Sequence, residues 1–269
     1  MPANVFVRYG LLVLIALPIG FLLLNPQILR SVWIEKSGNF QAAQGMPNVY
    51  IGRSATPQQR SAFRTYVGQA RNRIRRFWGS QQVRAILIYC PTQPDYEQYC
   101  AGGEGAGCSL GTPWGSAYLI LGPDGNDVDV IAHELCHDEL FVRLGWWRVK
   151  RQIPQWFNEG LALMVDYRYS HPAIWERPDQ PETTFSRPDH EPTRPYTHHP
   201  MLKLSELETT RDFFGSDYNH TMLAYQIAAD EVARWLSRVG RRNVPALTTA
   251  VASGESFRKA YQRIEKQSH

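Results

Sequence analysis

Most of what is scarce in this chain narrows its class. Charge of one sign is missing, since 29 Lys and Arg stand against 25 Asp and Glu, a net of +4 spread over 269 residues. That excludes the polybasic and acidic-tail classes and points to no nucleic-acid partner. No repeat of 20 to 50 residues is present, which removes solenoids and propellers. Low complexity is confined to one stretch, His171 to Pro200, dense in Pro, His and Thr, which reads as a long surface loop. With 43% hydrophobic and 20% charged residues the chain can bury a real core. The aromatic share, 12%, suits a wide cleft, an interface or ordinary core packing alike.

Long hydrophobic runs are limited to one. Tyr9 to Leu24 is sixteen residues without a charge, and Val5 to Leu24 reaches spanning length if Arg8 turns back toward the headgroups. No small-x-small cleavage site comes after it. The expectation is an uncleaved single-pass anchor over 1–30, a linker over 31–46 and a catalytic domain over 47–269, on the periplasmic or extracytoplasmic side of a bacterial-type inner membrane. Three of the four cysteines, Cys90, Cys100 and Cys108, fall within nineteen residues of a Gly-rich stretch. A disulfide there would staple the loop, and an oxidising compartment agrees with a secretory-type start. Any of the three pairings is open.

Helix and strand signals order the body. Thr56-Pro57 opens a helix as N-cap and first-turn proline, ending at Trp78 before Gly79. Its Arg71, Arg73, Arg75 and Arg76 read as a solvated face or a basic patch. Val83 to Tyr89 reads as a buried strand, Asn48 to Ile51 as a short partner, and Ser116 to Leu121 as a strand between two turn clusters.

The chemistry lies in the next segments. Asp127 to Leu144 has acids at its start and Gly145 at its end, as helix polarity prefers. Within it stands His133-Glu134-Leu135-Cys136-His137. Histidines four apart project from one helical face, so both imidazoles can bind one Zn²⁺, and Glu134 sits beside them to handle a proton. Cys136 lies about 60° round the helix from His133, by the helical rotation per residue, and reads as a packed thiol. A hydrolytic zinc needs a third protein ligand. Glu159, separated from His137 by twenty-one residues, is the candidate, because Trp156, Phe157, Leu161, Leu163 and Met164 surround it and an unpaired acid there would be costly to bury. Gly160 and Ala162 beside it would let two helices approach closely. The histidines in the Pro-rich stretch, His171, His190, His198 and His199, lack regular spacing.

In these motifs residues 47 to 265 resemble the gluzincin branch of zinc metallopeptidases, in which HExxH is followed after some twenty residues by a helix with an E-G-x-A-like signature. The resemblance implies His133, His137 and Glu159 as zinc ligands and Glu134 as the general base that activates water. Ala224 to Leu236 looks like the family's later helix and Gly254 to Tyr261 like its closing segment. An oxyanion donor is then needed; Tyr225 ranks first, before His220 and Tyr218. The strand Ser116–Leu121 is expected to act as the edge strand that holds substrate backbone, with Trp114 to Ala117 bordering the cleft.

The fold expected is α+β and zincin-like: a small mixed sheet on the HExxH helix, a mainly helical C-terminal half and one N-terminal transmembrane helix. The function expected is zinc-dependent hydrolysis of a peptide or protein substrate by a membrane-anchored peptidase. The alternative is a catalytically idle zinc scaffold that binds an envelope protein or cell-wall component. An intramembrane protease is excluded by the acids of the HExxH helix, Asp127, Asp129, Glu134, Asp138 and Glu139, and by the lack of a second spanning run.

Overall fold

The computed structural model describes residues 20, 22–82, 84–100, 105–112, 114–171, 173–176 and 202–268. The strands are β1 (Phe40–Ala42), β2 (Val49–Gly52), β3 (Ile86–Tyr89), β4 (Gly107–Gly111) and β5 (Ala117–Leu121). The helices are α1 (Pro26–Val32), α2 (Pro57–Trp78), α3 (Gln93–Tyr99), α4 (Val128–Leu144), α5 (Trp146–Gln152), α6 (Gln155–Leu163), α7 (Ala173–Glu176), α8 (Thr210–Phe214), α9 (Tyr218–Val239), α10 (Asn243–Ala252) and α11 (Phe257–Gln267).

The sheet runs β1-β2-β3-β5-β4. Its centre, β2, β3 and β5, is parallel, and the two outer strands are antiparallel to their neighbours. The parallel centre arises from crossover connections, with α2 carrying the chain from β2 to β3. Alternation then divides the side chains. Leu87, Tyr89, Leu119 and Leu121 enter the main core with Phe63, Val67 and Ile74 of α2 and Ile131 and Leu135 of α4. Ile88, Cys90, Tyr118 and Ile120 face the other way, onto Ile34, Phe40, Tyr96 and Tyr99.

Local chemistry sets the helix ends. Thr56 Oγ1 accepts from the Gln59 amide and the Gln59 side chain accepts from the Thr56 amide, a reciprocal capping box, while Gly79 closes α2 at φ 74°. Asp127 caps α4 by accepting from the Asp129 and Val130 amides at 2.7 and 3.2 Å. The helical half is held by an aromatic cluster in which Phe157, Trp235, Phe257 and Tyr261 meet edge-on, tilted or stacked.

The α+β body agrees with the sequence; the membrane element does not. Among the described residues no helix is long and apolar enough to cross a membrane. Most of Tyr9–Leu24 lies outside the described residues. After Asn25 the chain forms the seven-residue α1, with Ile28 and Ser31 buried and Arg30 donating to the Gln98 carbonyl at 2.7 Å. The transmembrane helix, the membrane partner and the single-pass inner-membrane topology with a periplasmic domain are therefore set aside. Phe40–Ala42, inside the stretch read as a linker, pairs with β2.

The open disulfide pairing is settled and one reading shifts. Cys100 pairs with Cys108, and Cys90 and Cys136 are free and buried. Arg73 is no solvated residue: it is buried, bonds Asp129 at the start of α4 and the Val165 carbonyl after α6, and lies 3.8 Å over the Tyr167 ring. Asp138 and Glu139 are fully buried; they accept from the Ala85 and Gln82 amides and so fasten the entry to β3 onto α4. Arg143 closes the pair by donating to Glu139 at 2.9 Å.

Candidate metal centre

The site forms where α4 and α6 meet. On α4 the four-residue spacing stacks the rings of His133 and His137 edge to face, centroids 4.9 Å apart. From α6, Glu159 presents Oε2 to both, 3.5 Å from His133 Nε2 and 3.6 Å from His137 Nε2. One donor atom from each of the three residues lies within 4.8 Å of the others. Four ligands placed tetrahedrally about 2.05 Å from Zn²⁺ are about 3.3 Å apart, so both separations are close to that of a tetrahedral edge. The donor set, two imidazoles and one carboxylate, fits the ion by chemistry and by spacing. The cluster can hold a metal ion.

Each donor is oriented from behind. His137 Nδ1 lies 3.1 Å from Asn158 Oδ1. Gln155 donates to Glu159 Oε1 at 2.7 Å and itself accepts from the Thr210 hydroxyl, leaving Oε2 for the two histidines. Asp166, wholly buried, places Oδ2 3.4 Å from His133 Nδ1, near enough for a charge contact but without the alignment of a hydrogen bond. Such partners behind a ligand fix ring orientation and tautomer. Sequence reasoning missed Asn158, Gln155 and Asp166. Their signal was their spacing from Glu159: one residue before it, one turn before it and two turns beyond.

Charge in the cluster is arranged around a cation. Burial works against a charged His133, but the Asp166 and Glu159 carboxylates outweigh it and lift its pKa to about 10. Burial would likewise raise Glu159, yet His137 and His133 hold it well below the usual carboxylate range. Burial raises Glu134, the two histidines only moderating the rise.

Glu134 lies under β4. A Cβ built on Gly107 would sit 3.1 Å from Leu121 Cδ2, 3.2 Å from the Glu134 Cγ and 3.4 Å from Oε1, so a larger residue there would have to press these side chains aside. A Cβ on Gly111 would come within 3.0 Å of the Trp146 ring. The antiparallel bonds Gly122 N to Ala106 O and Thr112 N to Ser116 O mark the even residues of β4 as those bonded to β5. By alternation the backbone groups of Gly107, Ser109 and Gly111 point to the sheet's open edge. The expectation that Ser116–Leu121 is this edge is thereby corrected: β5 is interior, between β3 and β4. Cys108, on the same β4, carries the bridge to Cys100.

The oxyanion candidates separate. Tyr225 on α9 is partly buried, rings of Phe213 and Phe214 holding it at 5.2 and 6.0 Å, and burial followed by the Glu159 and Glu134 charges pushes its phenol well above the usual range. His220 is bound through Nε2 to the Asp212 carbonyl at 2.9 Å, and Tyr218 is 76% exposed. α9 reaches the site because Gly160 and Ala228 let it press on α6. Cys136 is buried with Sγ toward the Leu161 carbonyl at 3.7 Å. His171 is exposed, with Nδ1 accepting from the Ala173 amide, and His190, His198 and His199 lie outside the described residues.

Fold and site together fit a zincin-like arrangement, a His-His-Glu cluster that could coordinate a metal ion on an α+β body. Compared with known proteins, the chain matches no family model and no curated protein. The expected membrane-anchored branch of the gluzincin family is corrected, since among the described residues no helix is long and apolar enough to cross a membrane; the part of that resemblance that stands is the His-His-Glu cluster with Glu134 beside it.

Proposed function

We propose that this chain is a zinc-dependent peptidase, with His133, His137 and Glu159 as metal ligands and Glu134 as general base. The observation that carries the reading is the convergence of the two Nε2 atoms on Glu159 Oε2 at 3.5 and 3.6 Å. Bound Zn²⁺ supplies a Lewis acid that polarises a carbonyl and makes water acidic near neutral pH. Three protein donors leave a fourth position open, as catalytic rather than structural sites do.

The chain's own groups do the rest. Glu134 takes the proton of the attacking water on its carboxylate and passes it to the leaving amine; burial, which raises its pKa, makes it a better base than a solvated carboxylate. Tyr225, kept protonated by burial and the nearby acids, donates its phenolic hydrogen to the developing oxyanion. The outward backbone groups of Gly107, Ser109 and Gly111 hold an extended peptide as an added strand, which sets its scissile bond over Glu134.

The test is elemental analysis and peptide cleavage by the full chain, with Glu159→Ala and Glu134→Gln beside it. We expect about one zinc per chain, lost in Glu159→Ala and kept in Glu134→Gln, with cleavage lost in both. Cleavage undiminished in Glu134→Gln would overturn the mechanism.

A further inference from the structure

The carboxylate behind His133 is itself gripped. Arg168 donates from Nε to Asp166 Oδ1 at 2.9 Å and from Nη2 to Oδ2 at 2.7 Å, and its own backbone amide adds a third bond to Oδ1 at 3.2 Å. Oδ2 is the oxygen that also faces His133 Nδ1 at 3.4 Å. A planar fork on a carboxylate fixes the plane of that carboxylate, which a single-point cation does not. The two side chains differ in setting: Asp166 is 0% exposed, whereas that of Arg168 is 40% exposed. Away from Asp166, the guanidinium lies over the Tyr169 ring, 5.3 Å from its centroid. A half-exposed cation at the rim thus determines how a buried acid meets a candidate ligand.

We propose that Arg168 is a positioning residue of the metal centre, acting through Asp166 to hold His133 with its proton on Nδ1 and its lone pair on Nε2 facing Glu159. An imidazole binds a metal through the nitrogen that carries no proton, so the partner of the other nitrogen selects the ligand atom. Asp166 Oδ2, 3.4 Å away, is the acceptor that faces Nδ1, and zinc binding would draw the two into a hydrogen bond. Without the fork only the Arg168 amide still holds the carboxylate, through Oδ1, and Oδ2 loses the bond that keeps it toward His133. The inference rests on the reading of His133 as a zinc ligand.

The experiment measures zinc affinity of the full chain by competition with a chromophoric chelator, alongside the melting temperature of the metal-free protein. Arg168→Gln is expected to weaken zinc binding by about 10- to 100-fold, the range for loss of a partner behind a ligand. Arg168→Lys, which keeps the charge but not the fork, should fall between it and the wild type, and serves if Arg168→Gln does not fold. Asp166→Asn should lose a similar factor, and adding Arg168→Gln to it should cost little more, because both act along one path. A lower melting temperature with unchanged zinc affinity, or losses that multiply in the double variant, would make Arg168 a turn stabiliser only and overturn the inference. A wild type that binds no zinc would overturn the metal-site reading, and this proposal with it; normal wild-type binding with unaffected Arg168 variants would overturn the proposal alone.

Discussion

Gly160→Ala isolates the contact on which the site depends. In a helix interior this change normally stabilises by about 1 kcal/mol, because alanine gives up less backbone freedom on folding. Here the new methyl would lie 2.4 Å from the Ala228 carbonyl oxygen and 2.7 Å from a Val232 methyl. The first distance is about 0.6 Å inside the 3.0 Å floor for such contacts, and its partner is backbone, which no rotamer change can move aside. α6 and α9 must part. Overpacking of this kind costs about 1–3 kcal/mol, at times more; with a backbone atom in the way the upper end applies, and after the helix gain a net loss of about 2 kcal/mol remains. For a chain this size that lowers the melting temperature by about 4–8 °C. Glu159 precedes Gly160, so the same shift should move Oε2 from its seat between the two histidines and weaken zinc binding at least about tenfold, as misplaced ligands do. Calorimetric melting of the metal-free chain and a zinc competition titration measure the two effects. A variant as stable as the wild type with the same zinc affinity would refute the close approach and, with it, the account of how α6 delivers Glu159.

The other predictions concern the site directly. Tyr225→Phe should leave zinc content unchanged and lower kcat about 10²–10³-fold, as removal of an oxyanion donor does; an unchanged kcat would return the role to His220 or to none. Zinc must displace the proton that keeps His133 charged up to a pKa of about 10 and the one on His137, whose pKa is also raised, so binding at pH 7.5 should release roughly one or two protons and affinity should fall as pH falls; titration calorimetry in buffers of different ionisation enthalpy reads the number, and zero release would contradict the raised pKa values of the two histidines. Replacing Cys100 and Cys108 by Ser opens a loop with a sequence separation of 8 and should cost about 2–3 kcal/mol in denaturant melts. It should also raise KM for peptides more than it alters zinc affinity, since the bridge holds β4 and touches none of the three donors.

What could be read from the chain was what is local. The start of α2 at Thr56-Pro57 and its end at Gly79 come from a capping box and a left-handed glycine, each set by residues within a turn of it. The pairing of His133 with His137 comes from helical rotation alone. Glu159 was also visible, although distant, because a carboxylate in an apolar run must find a partner and the two histidines needed one. The rest required the fold. Sheet order is a matter of non-local pairing, so no pattern in Ser116–Leu121 could say that β4 would add outside it and become the edge. Arg73, alike in sequence to Arg75 and Arg76, became a buried brace only because the start of α4 and the chain after α6 converge on it. The apolar amino-terminal run has the composition of a span, but composition does not decide whether a helix long enough to use it forms, and none is present among the described residues.

The sequence by itself determined the chemistry on offer: two imidazoles on one helical face, a carboxylate between them in the motif, and a second acid that could not be buried alone. Periodicity and the cost of an unpaired charge suffice for that. Only the tertiary structure decided what lies behind the histidines, Asn158 behind His137 and Asp166, forked by Arg168, behind His133, and the passage of β4 over Glu134. Gln155 reaches Glu159 one turn away on α6, but the other contacts onto α4 join segments that meet only when α4, α6 and the sheet pack together.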